Sequence, residues 1–264
     1  MLQSEGIEKA SELLWESWQN GLAIDDLPPE CSPGTRAEGY AIQALLEAQS
    51  RKPLFGWKIA ATSKAGQDHI AVSGPMAGRL LAESVFDDGA VLDLAGNRMR
   101  VAEPEFAFRL GRDLPPRDVP WSVEDVLDAV ATLHPSIEIP DSRFADFVIA
   151  GEAKLIADNA CGHQFVLGAA TGADWRALDL SAHPVHAGIA GRYERDGIGA
   201  NVLDDPRIAL AWLVNEVNAL GITAKAGEVV TTGTCMAPLE ILSGDRVQAD
   251  FGVLGTVGVD LSAE

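Results

Sequence analysis

Apolar residues in the first fifty positions recur with the period of an α-helix. They fall on one helical face at Ile7, Ala10, Leu14 and Trp18. Ser4 precedes this run as an N-cap, and Gly21 ends it. A second start signal follows, because Thr35 and Glu38 have the spacing of a capping box. The pattern therefore predicts a helical N-terminal region over residues 1–52.

Beyond residue 52 the apolar positions recur every second residue over short runs, which is typical of β-strands. The strand-like runs are residues 54–60, 98–112, 136–139, 161–167, 229–232, 246–251 and 256–261. No internal repeat divides this part of the chain. Residues 53–264 are therefore predicted to form one β-rich domain, and the whole chain an α+β fold.

Two further signals concern the connections between elements. The Asp-Gly pair at residues 88–89 has the composition of a hairpin turn, which would join residues 84–86 to residues 90–94 in one sheet. Ser122 is a helix N-cap, and the apolar positions after it continue to Val130. We therefore predict a hairpin at the first position and a helix through Val130 at the second.

The charge of the chain narrows the classes of partner. The 264 residues include 39 Asp and Glu against 20 Lys and Arg, a formal net charge of −19. Such a surface repels nucleic-acid phosphates and anionic lipid headgroups, and no run of basic residues offsets it. We therefore expect no nucleic-acid partner, no membrane partner and a small molecule as the ligand.

Cysteine content and the N-terminal sequence bear on the compartment. Cys31, Cys161 and Cys235 are odd in number and too far apart for a CxxC pair, which suits a reducing compartment. The N-terminal segment lacks the basic and apolar regions of a signal peptide. No apolar run reaches the ~18 residues of a membrane helix. We expect a cytoplasmic protein.

The first candidate for chemistry is a set of carboxylates. Glu103 and Glu105 lie two residues apart on a predicted strand, so their side chains project side by side. Glu138 lies between two isoleucines that face the core, so its carboxylate points the other way. Three carboxylates suit Mg²⁺ or Mn²⁺ better than zinc. The pattern is equally compatible with a solvated strand face, and spacing alone does not join Glu138 to the pair.

Lys58 and the Asp158-Asn159 pair are further candidates. Lys58 lies in the middle of a predicted strand, between Trp57 and Ile59. A lysine in that position either extends to solvent or lies in a polar cavity. Asp158 and Asn159 precede a strand, where they form an Asx turn or position the carboxylate or carbonyl of a substrate.

Six short motifs occur in an order that is informative as a set. They are Gly56-Trp57-Lys58-Ile59, Glu103-Pro104-Glu105, Ile137-Glu138, Ile156-Ala157-Asp158-Asn159, Thr232-Gly233 and Gly244-Asp245. Together they resemble the 2-keto-4-pentenoate hydratase family, within the fumarylacetoacetase-like superfamily. The similarity extends over nearly the whole chain.

The resemblance implies a fold, a metal site and a set of site residues. The fold would be a fumarylacetoacetase-like mixed β-rich barrel or roll, with residues 53–264 as the metal-binding catalytic domain. The three glutamates would hold Mg²⁺ or Mn²⁺, and Asp158, Asn159 and Thr232 would bind the substrate. Glu83 stands where many hydratases have an aspartate near the substrate, which makes it a second candidate acid or base beside Lys58.

The resemblance also implies an activity. The family adds water to 2-hydroxy-2,4-dienoates from the meta-cleavage of aromatic compounds, giving 4-hydroxy-2-oxoacids. Close relatives decarboxylate 2-oxo-3-enedioates, and this alternative stays open, as does an inactive scaffold partner of such an enzyme. Lys58 would move the proton. Beside a divalent cation, in a water-poor cavity, its pKa is expected to fall toward the working pH. A homo-oligomer and a complex with a related pathway enzyme are also expected.

Overall fold

The computed structural model describes residues 2–263. These residues form both helices and β-strands, as the sequence predicts. The helices are α1 (Ser4–Gln19), α2 (Arg36–Ala44), α3 (Leu46–Gln49), α4 (Lys64–His69), α5 (Val123–Leu127), α6 (Glu152–Ala157) and α7 (Pro206–Ala219). The strands before residue 150 are β1 (Leu54–Ala60), β2 (Met76–Leu81), β3 (Val85–Asp87), β4 (Val91–Leu92), β5 (Val101–Leu110) and β6 (Val130–Ile139). Those after it are β7 (Gln164–Leu167), β8 (Pro184–Ile189), β9 (Tyr193–Ile198), β10 (Val229–Thr234), β11 (Leu239–Glu240), β12 (Arg246–Asp250) and β13 (Thr256–Leu261).

The strands form two sheets that pack on each other. The larger sheet is a curled half-barrel in the order β2-β1-β10-β5-β6-β7-β3, with β11 paired to the start of β5. The smaller sheet has the order β4-β13-β12-β8-β9. Strands β12 and β13 pack on β6 and β7, and the rings of Phe106 and Phe251 meet edge to face, with their centres 5.1 Å apart. The core therefore lies between the sheets.

The N-terminal helices form where the sequence predicts them, with one shift. The side chain of Thr35 accepts a hydrogen bond from the backbone N–H of Glu38, as the capping box requires. The N-cap of α1 is Gln3, and Ser4 is the first helical residue, so the predicted Ser4 cap was wrong by one position. Hydrophobic periodicity locates a helix more accurately than it locates the terminal residue.

The N-terminal helices pack against a helix from the second half of the chain. Glycine at position 39 lets α2 approach α6 closely, since a Cβ there would overlap the carbonyl oxygen of Ala153. Gln43 donates to the carbonyl oxygens of Ala77 in β2 and Ile156 in α6, at 2.9 Å and 2.8 Å. The predicted helical region of residues 1–52 thus shares a helical layer with α6. No helix among the described residues is long and apolar enough to cross a membrane.

The predicted hairpin at residues 88–89 was wrong. Strand β3 pairs in parallel with β7 of the larger sheet, and β4 pairs in parallel with β13 of the smaller one. The turn therefore connects two sheets. Asp88 accepts a hydrogen bond from the backbone N–H of Gly258, which ties the turn to β13. Local composition predicts a turn but does not specify which strands pair across it.

Two boundaries around the β5–β6 pair also differ from the prediction. Helix α5 ends at Leu127, and Val130 begins a long strand, because β6 pairs with β5 over its whole length. Strand β5 starts only at Val101, since the backbone N–H groups of Arg98 and Met99 donate to the carboxylate of Asp141 rather than to a neighbouring strand. In both places long-range pairing decides the boundary.

Candidate metal centre

The three predicted glutamates come together on adjacent strands. Glu103 and Glu105 project from the same face of β5, and Glu138 is the register partner of Glu103 on β6. One carboxylate oxygen from each lies within 4.8 Å of the others. Glu105 and Glu138 are fully buried, and Glu103 is partly exposed. Pairing with β6, which spacing alone did not reveal, thus completes a three-carboxylate cluster.

The donor set fits a hard divalent cation. Oε1 of Glu105 and both oxygens of Glu138 are buried and accept no hydrogen bond from any described residue, although Lys58 forms an ion pair with Oε1 of Glu138 at 3.2 Å and so supplies one positive charge for three carboxylates. Buried carboxylate oxygens without a donor are costly unless a cation compensates them. The second oxygen of Glu105 is held from β10, by the hydroxyl of Thr231 and by the backbone N–H of Gly233 at 2.8 Å. One face of the cluster is therefore fixed by protein donors while the remaining oxygens are available to an ion.

Electrostatics in the cluster disfavour three negative charges without a cation. Burial and the neighbouring charge of Glu138 raise the pKa of Glu103 to about 7. The same two causes raise the pKa of Glu105 well above its usual value, and burial raises the pKa of Glu138. Like charges at this separation cannot all ionise at low cost. A divalent cation would stabilise the ionised form.

Lys58 lies in the same buried site. Its Nζ is 3.2 Å from Oε1 of Glu138 and donates to the carbonyl oxygen of Ala160 at 2.9 Å. Of the two predicted environments, the polar cavity is confirmed. Burial lowers the pKa of the ammonium, but the charges of Glu138, Glu103 and Glu105 outweigh it, so the pKa is raised. The protein's own carboxylates thus raise the pKa of Lys58, whereas a neighbouring cation is expected to lower it.

Comparisons with known proteins identify the family. No family model matches the chain. The 2-hydroxyhexa-2,4-dienoate hydratase of Comamonas testosteroni is 33% identical over 267 residues, covering 99% of this chain and 100% of that protein. The 2-keto-4-pentenoate hydratase of Paraburkholderia xenovorans is 30% identical over 260 residues, covering 97% and 95%. This chain belongs to the 2-keto-4-pentenoate hydratase family. It is accordingly a lyase.

The solved structures agree with this family and with its fold. The 4-oxalocrotonate decarboxylase from Pseudomonas putida G7, complexed with magnesium and adipate, superposes with a TM-score of 0.89 at 25% identity and covers 99% of both chains. The curled sheet with its flanking helices is the fumarylacetoacetase-like fold, as the sequence predicted. That neighbour binds magnesium, which agrees with an acidic metal site in this member of the hydratase family.

Thr232 does not face the glutamates in this hydratase-family chain. Its hydroxyl donates to the carbonyl oxygen of Phe106 at 3.0 Å. The neighbouring Thr231 donates to Glu105, and Thr231 is the register partner of Lys58 on the adjacent parallel strand. Thr231 was not among the residues predicted from the sequence. The alternation of side chains along a strand could have indicated it, because Thr231 and Gly233 lie on one face of β10 and Thr232 lies on the other.

Asp158 and Asn159 directly precede Ala160, whose carbonyl oxygen binds Lys58, but the polar groups of both side chains form hydrogen bonds within the protein. The Asp158 carboxylate is buried in an ion pair with Arg143 and accepts a hydrogen bond from Ser142. The side-chain amide of Asn159 binds the backbone of Arg79 through both its oxygen and its nitrogen. The structure therefore places the pair next to the site and engages it within the fold.

Glu83 lies apart from the other predicted site residues. It belongs to a single 3-10 turn at residues 82–84, its side chain is exposed, and it accepts a hydrogen bond from Ser50. Among the described residues, no ion pair or hydrogen bond joins it to Lys58 or to the three glutamates. The structure thus brings four predicted residues into the metal centre and leaves Glu83 at the surface.

Proposed function

We propose that this chain is a metal-dependent hydratase that adds water to a 2-hydroxy-2,4-dienoate and yields a 4-hydroxy-2-oxoacid, in the meta-cleavage degradation of aromatic compounds. The observation that carries the proposal is the three-carboxylate cluster, two of whose glutamates are fully buried, with a lysine ammonium 3.2 Å from it. The dienoate substrate class is supported by the names of the full-length relatives.

Glu103, Glu105 and Glu138 would hold the cation, with Mg²⁺ or Mn²⁺ as the ions that an all-oxygen donor set favours. When bound, the cation supplies positive charge that stabilises an enolate at the 2-oxygen of the substrate. Thr231 and Gly233 orient Glu105 for this task through their hydrogen bonds to one of its oxygens. Magnesium is supported by the ion in the neighbouring decarboxylase structure.

Lys58 would act as the general acid and base. Its Nζ would carry the proton of the 2-hydroxyl group to the far carbon of the diene, and water would then add to C4 of the resulting enone. The burial of Lys58 keeps bulk water away from the transferred proton. The carbonyl oxygen of Ala160 and the carboxylate of Glu138 hold Nζ from two directions.

Decarboxylation of a 2-oxo-3-enedioate is the second candidate. It is favoured by the close superposition on the 4-oxalocrotonate decarboxylase. Stabilisation of the same enolate serves both reactions, because loss of carbon dioxide also leaves electron density on the 2-oxygen. The hydratase proposal has more support, since the relatives at 30% identity or more are named as hydratases.

A spectroscopic assay tests the proposal and its scaffold alternative. The purified protein is mixed with a 2-hydroxydienoate, and the dienol absorbance is followed with Mg²⁺, with Mn²⁺ and with a chelator. We expect the absorbance to fall only with metal, and Glu105→Gln to lose at least about 10²-fold in rate. Glu83→Gln is the matched control, because this carboxylate lies at the surface. No reaction with any dienoate or enedioate would favour an inactive scaffold.

The oligomeric state and the cellular location of the protein are further proposals. We propose a homo-oligomer, and a complex with a related pathway enzyme, on the family resemblance and the excess of tryptophan in an acidic chain. Light scattering at the mass of one 27.9-kDa chain would contradict the oligomer. A cytoplasmic location is supported by three free cysteines, all buried.

A further inference from the structure

The turn after Asp158 has an unusual backbone. The φ angles of Asn159, Ala160 and Cys161 are 54°, 49° and 59°. This left-handed region is rarely adopted by residues other than glycine, and three consecutive examples are far rarer. All three residues are buried. Such a conformation persists only where surrounding contacts enforce it, and it is often found at functional sites.

Two sets of contacts enforce this turn. The side-chain oxygen of Asn159 accepts from the backbone N–H of Arg79 at 2.7 Å, and its nitrogen donates to the backbone carbonyl of Arg79 at 2.9 Å. Arg79 lies in β2, the outer strand of the larger sheet, so the amide takes the place of a neighbouring strand. On the other side, Arg143 pairs with the carboxylate of Asp158 and also donates to its backbone carbonyl.

The turn ends at the proposed proton carrier. The carbonyl oxygen of Ala160 accepts a hydrogen bond from Nζ of Lys58 at 2.9 Å. Gly78 leaves the space through which this contact is made, because a Cβ there would lie 2.5 Å from the carbonyl oxygen of Asn159 and 2.8 Å from Cδ of Lys58. The left-handed turn therefore directs one carbonyl at one ammonium.

We propose that Asn159 is a positioning residue for Lys58: by clamping the left-handed turn to β2, it holds the Ala160 carbonyl where it directs Nζ of Lys58 toward the glutamate cluster. Both heteroatoms of the Asn159 amide bind the backbone of Arg79, so Asn159 acts through Lys58 and not on the substrate. The inference rests on the proposed function for the role of Lys58 in proton transfer.

The chain contains a matched control for this proposal. Asn215 binds the backbone of Trp121 in the same two-point manner, accepting from its N–H at 2.8 Å and donating to its carbonyl at 2.9 Å. Asn159→Ala and Asn215→Ala thus each remove a two-point clamp on a backbone, one beside Lys58 and one at α7. Asn215→Ala also removes the hydrogen bond from the Asn215 amide to the carbonyl oxygen of Ala211, at 3.0 Å. Asn159→Ala also places an alanine at a φ of 54°, whereas Asn215 lies within α7, so we expect the larger loss of stability from Asn159→Ala, and the variants are compared under conditions in which both are folded.

Steady-state kinetics with a 2-hydroxydienoate and Mg²⁺ separate positioning from substrate binding. We expect Asn159→Ala to lower kcat at least about tenfold while KM changes less than about threefold, since misplacing a catalytic group affects the transition state more than the bound substrate. Asn215→Ala should leave kcat within about twofold of the unsubstituted protein. An equal kcat for the two variants, or a loss confined to KM, would overturn the proposal.

A second readout does not depend on activity. The chain has six lysines, and after labelling of their Nζ atoms with ¹⁵N, the buried Lys58 ammonium should give the NMR signal most protected from hydrogen exchange. We expect this protection to be lost in Asn159→Ala and kept in Asn215→Ala. If the unsubstituted protein hydrates no dienoate, the proposed function fails, and this comparison alone decides the positioning role. Retained protection in Asn159→Ala would contradict it.

A third variant covers the case in which Asn159→Ala does not fold. Asn159→Gly removes the amide but adopts positive φ without strain, so the turn keeps its backbone preference and loses only the clamp. The same loss in kcat and in protection is expected. Normal values for both in Asn159→Gly would overturn the proposal.

Discussion

At the scale of single residues, Lys58 carries the most specific expectation. Lys58→Met keeps the apolar stem and removes the titrating group. The variant should fold and bind Mg²⁺, but its kcat for a dienoate should fall roughly 10²–10⁴-fold, the usual range for a positioned acid or base. Circular dichroism, metal titration and initial rates check these points. A change of less than about threefold would assign the proton transfer to another group.

Thr231 and Thr232 provide a test of which face of β10 serves the metal centre. Both are fully buried, and each hydroxyl makes one hydrogen bond, to Glu105 from Thr231 and to Phe106 from Thr232. Thr231→Val should weaken Mg²⁺ binding about 10-fold or more, as the loss of a partner that orients a metal ligand usually does. Thr232→Val should cost about 1 kcal/mol in stability and leave the affinity unchanged. Calorimetric titration measures both variants, and equal affinities would refute the assignment.

These residues also illustrate what the sequence could predict at this scale. The glutamates and Lys58 were indicated by their residue types, and the pair of glutamates on β5 also by the alternation of side chains along the strand. The choice between Thr231 and Thr232 depends on the register of β10 against β1 and β5, which joins residues more than a hundred positions apart. A shift of one residue exchanges the two faces of a strand, and local sequence does not specify that register.

At the scale of elements, the close contact between α2 and α6, the helix that precedes the turn at Asn159, can be tested by substitution. A glycine inside a helix normally costs about 1 kcal/mol relative to alanine, yet Gly39→Ala would push a Cβ into the carbonyl of Ala153. We therefore expect it to destabilise the protein by about 1–3 kcal/mol, the usual effect of overpacking. Gly172 has no atom near its virtual Cβ, so Gly172→Ala should stay within about 0.5 kcal/mol. Urea unfolding compares the two, and a stabilising Gly39→Ala would contradict the close packing.

The positions of helices and strands were predicted more accurately than the pairing between strands. Hydrophobic periodicity located α1 and a capping box located α2, because those signals are local. The residue 88–89 hairpin and the helix through Val130 were wrong for one reason: β3, β4 and β6 pair with strands that lie outside the local segments from which the predictions were made. Tertiary pairing overrides turn composition and helical periodicity where a buried strand position is available.

At the scale of the whole molecule, the glutamate cluster links stability to pH and to cations. The pKa of Glu103 is raised from 4.5 to about 7, so the folded protein holds a proton that the unfolded chain has released. The contribution of Glu103 to the free energy of unfolding, in the absence of metal, should therefore fall as the pH rises from about 4.5 to about 7. Bound Mg²⁺ removes that loss, so its stabilising effect should increase over the same range.

Urea unfolding at pH 5, 6 and 7.5, in metal-free buffer and with saturating Mg²⁺, measures this linkage. Other titrating groups contribute equally with and without Mg²⁺. The difference in the free energy of unfolding between the two conditions therefore reports on the glutamate cluster. Glu105→Gln is the control, because it removes one of the coupled carboxyl groups and should reduce the difference at pH 7.5. The same stabilisation by Mg²⁺ at pH 5 and pH 7.5 would contradict a proton-competitive site.

Addition of water is the step that distinguishes a hydratase from a decarboxylase, and analysis of the products separates the two. The protein and Mg²⁺ are incubated separately with a 2-hydroxy-2,4-dienoate and with a carboxyl-labelled 2-oxo-3-enedioate, and the products are identified by mass and by release of labelled carbon dioxide. The expected result is that the dienoate gains the mass of one water, as a 4-hydroxy-2-oxoacid, and that the enedioate releases carbon dioxide much more slowly. Faster release of labelled carbon dioxide, with no hydrated product from the dienoate, would contradict it.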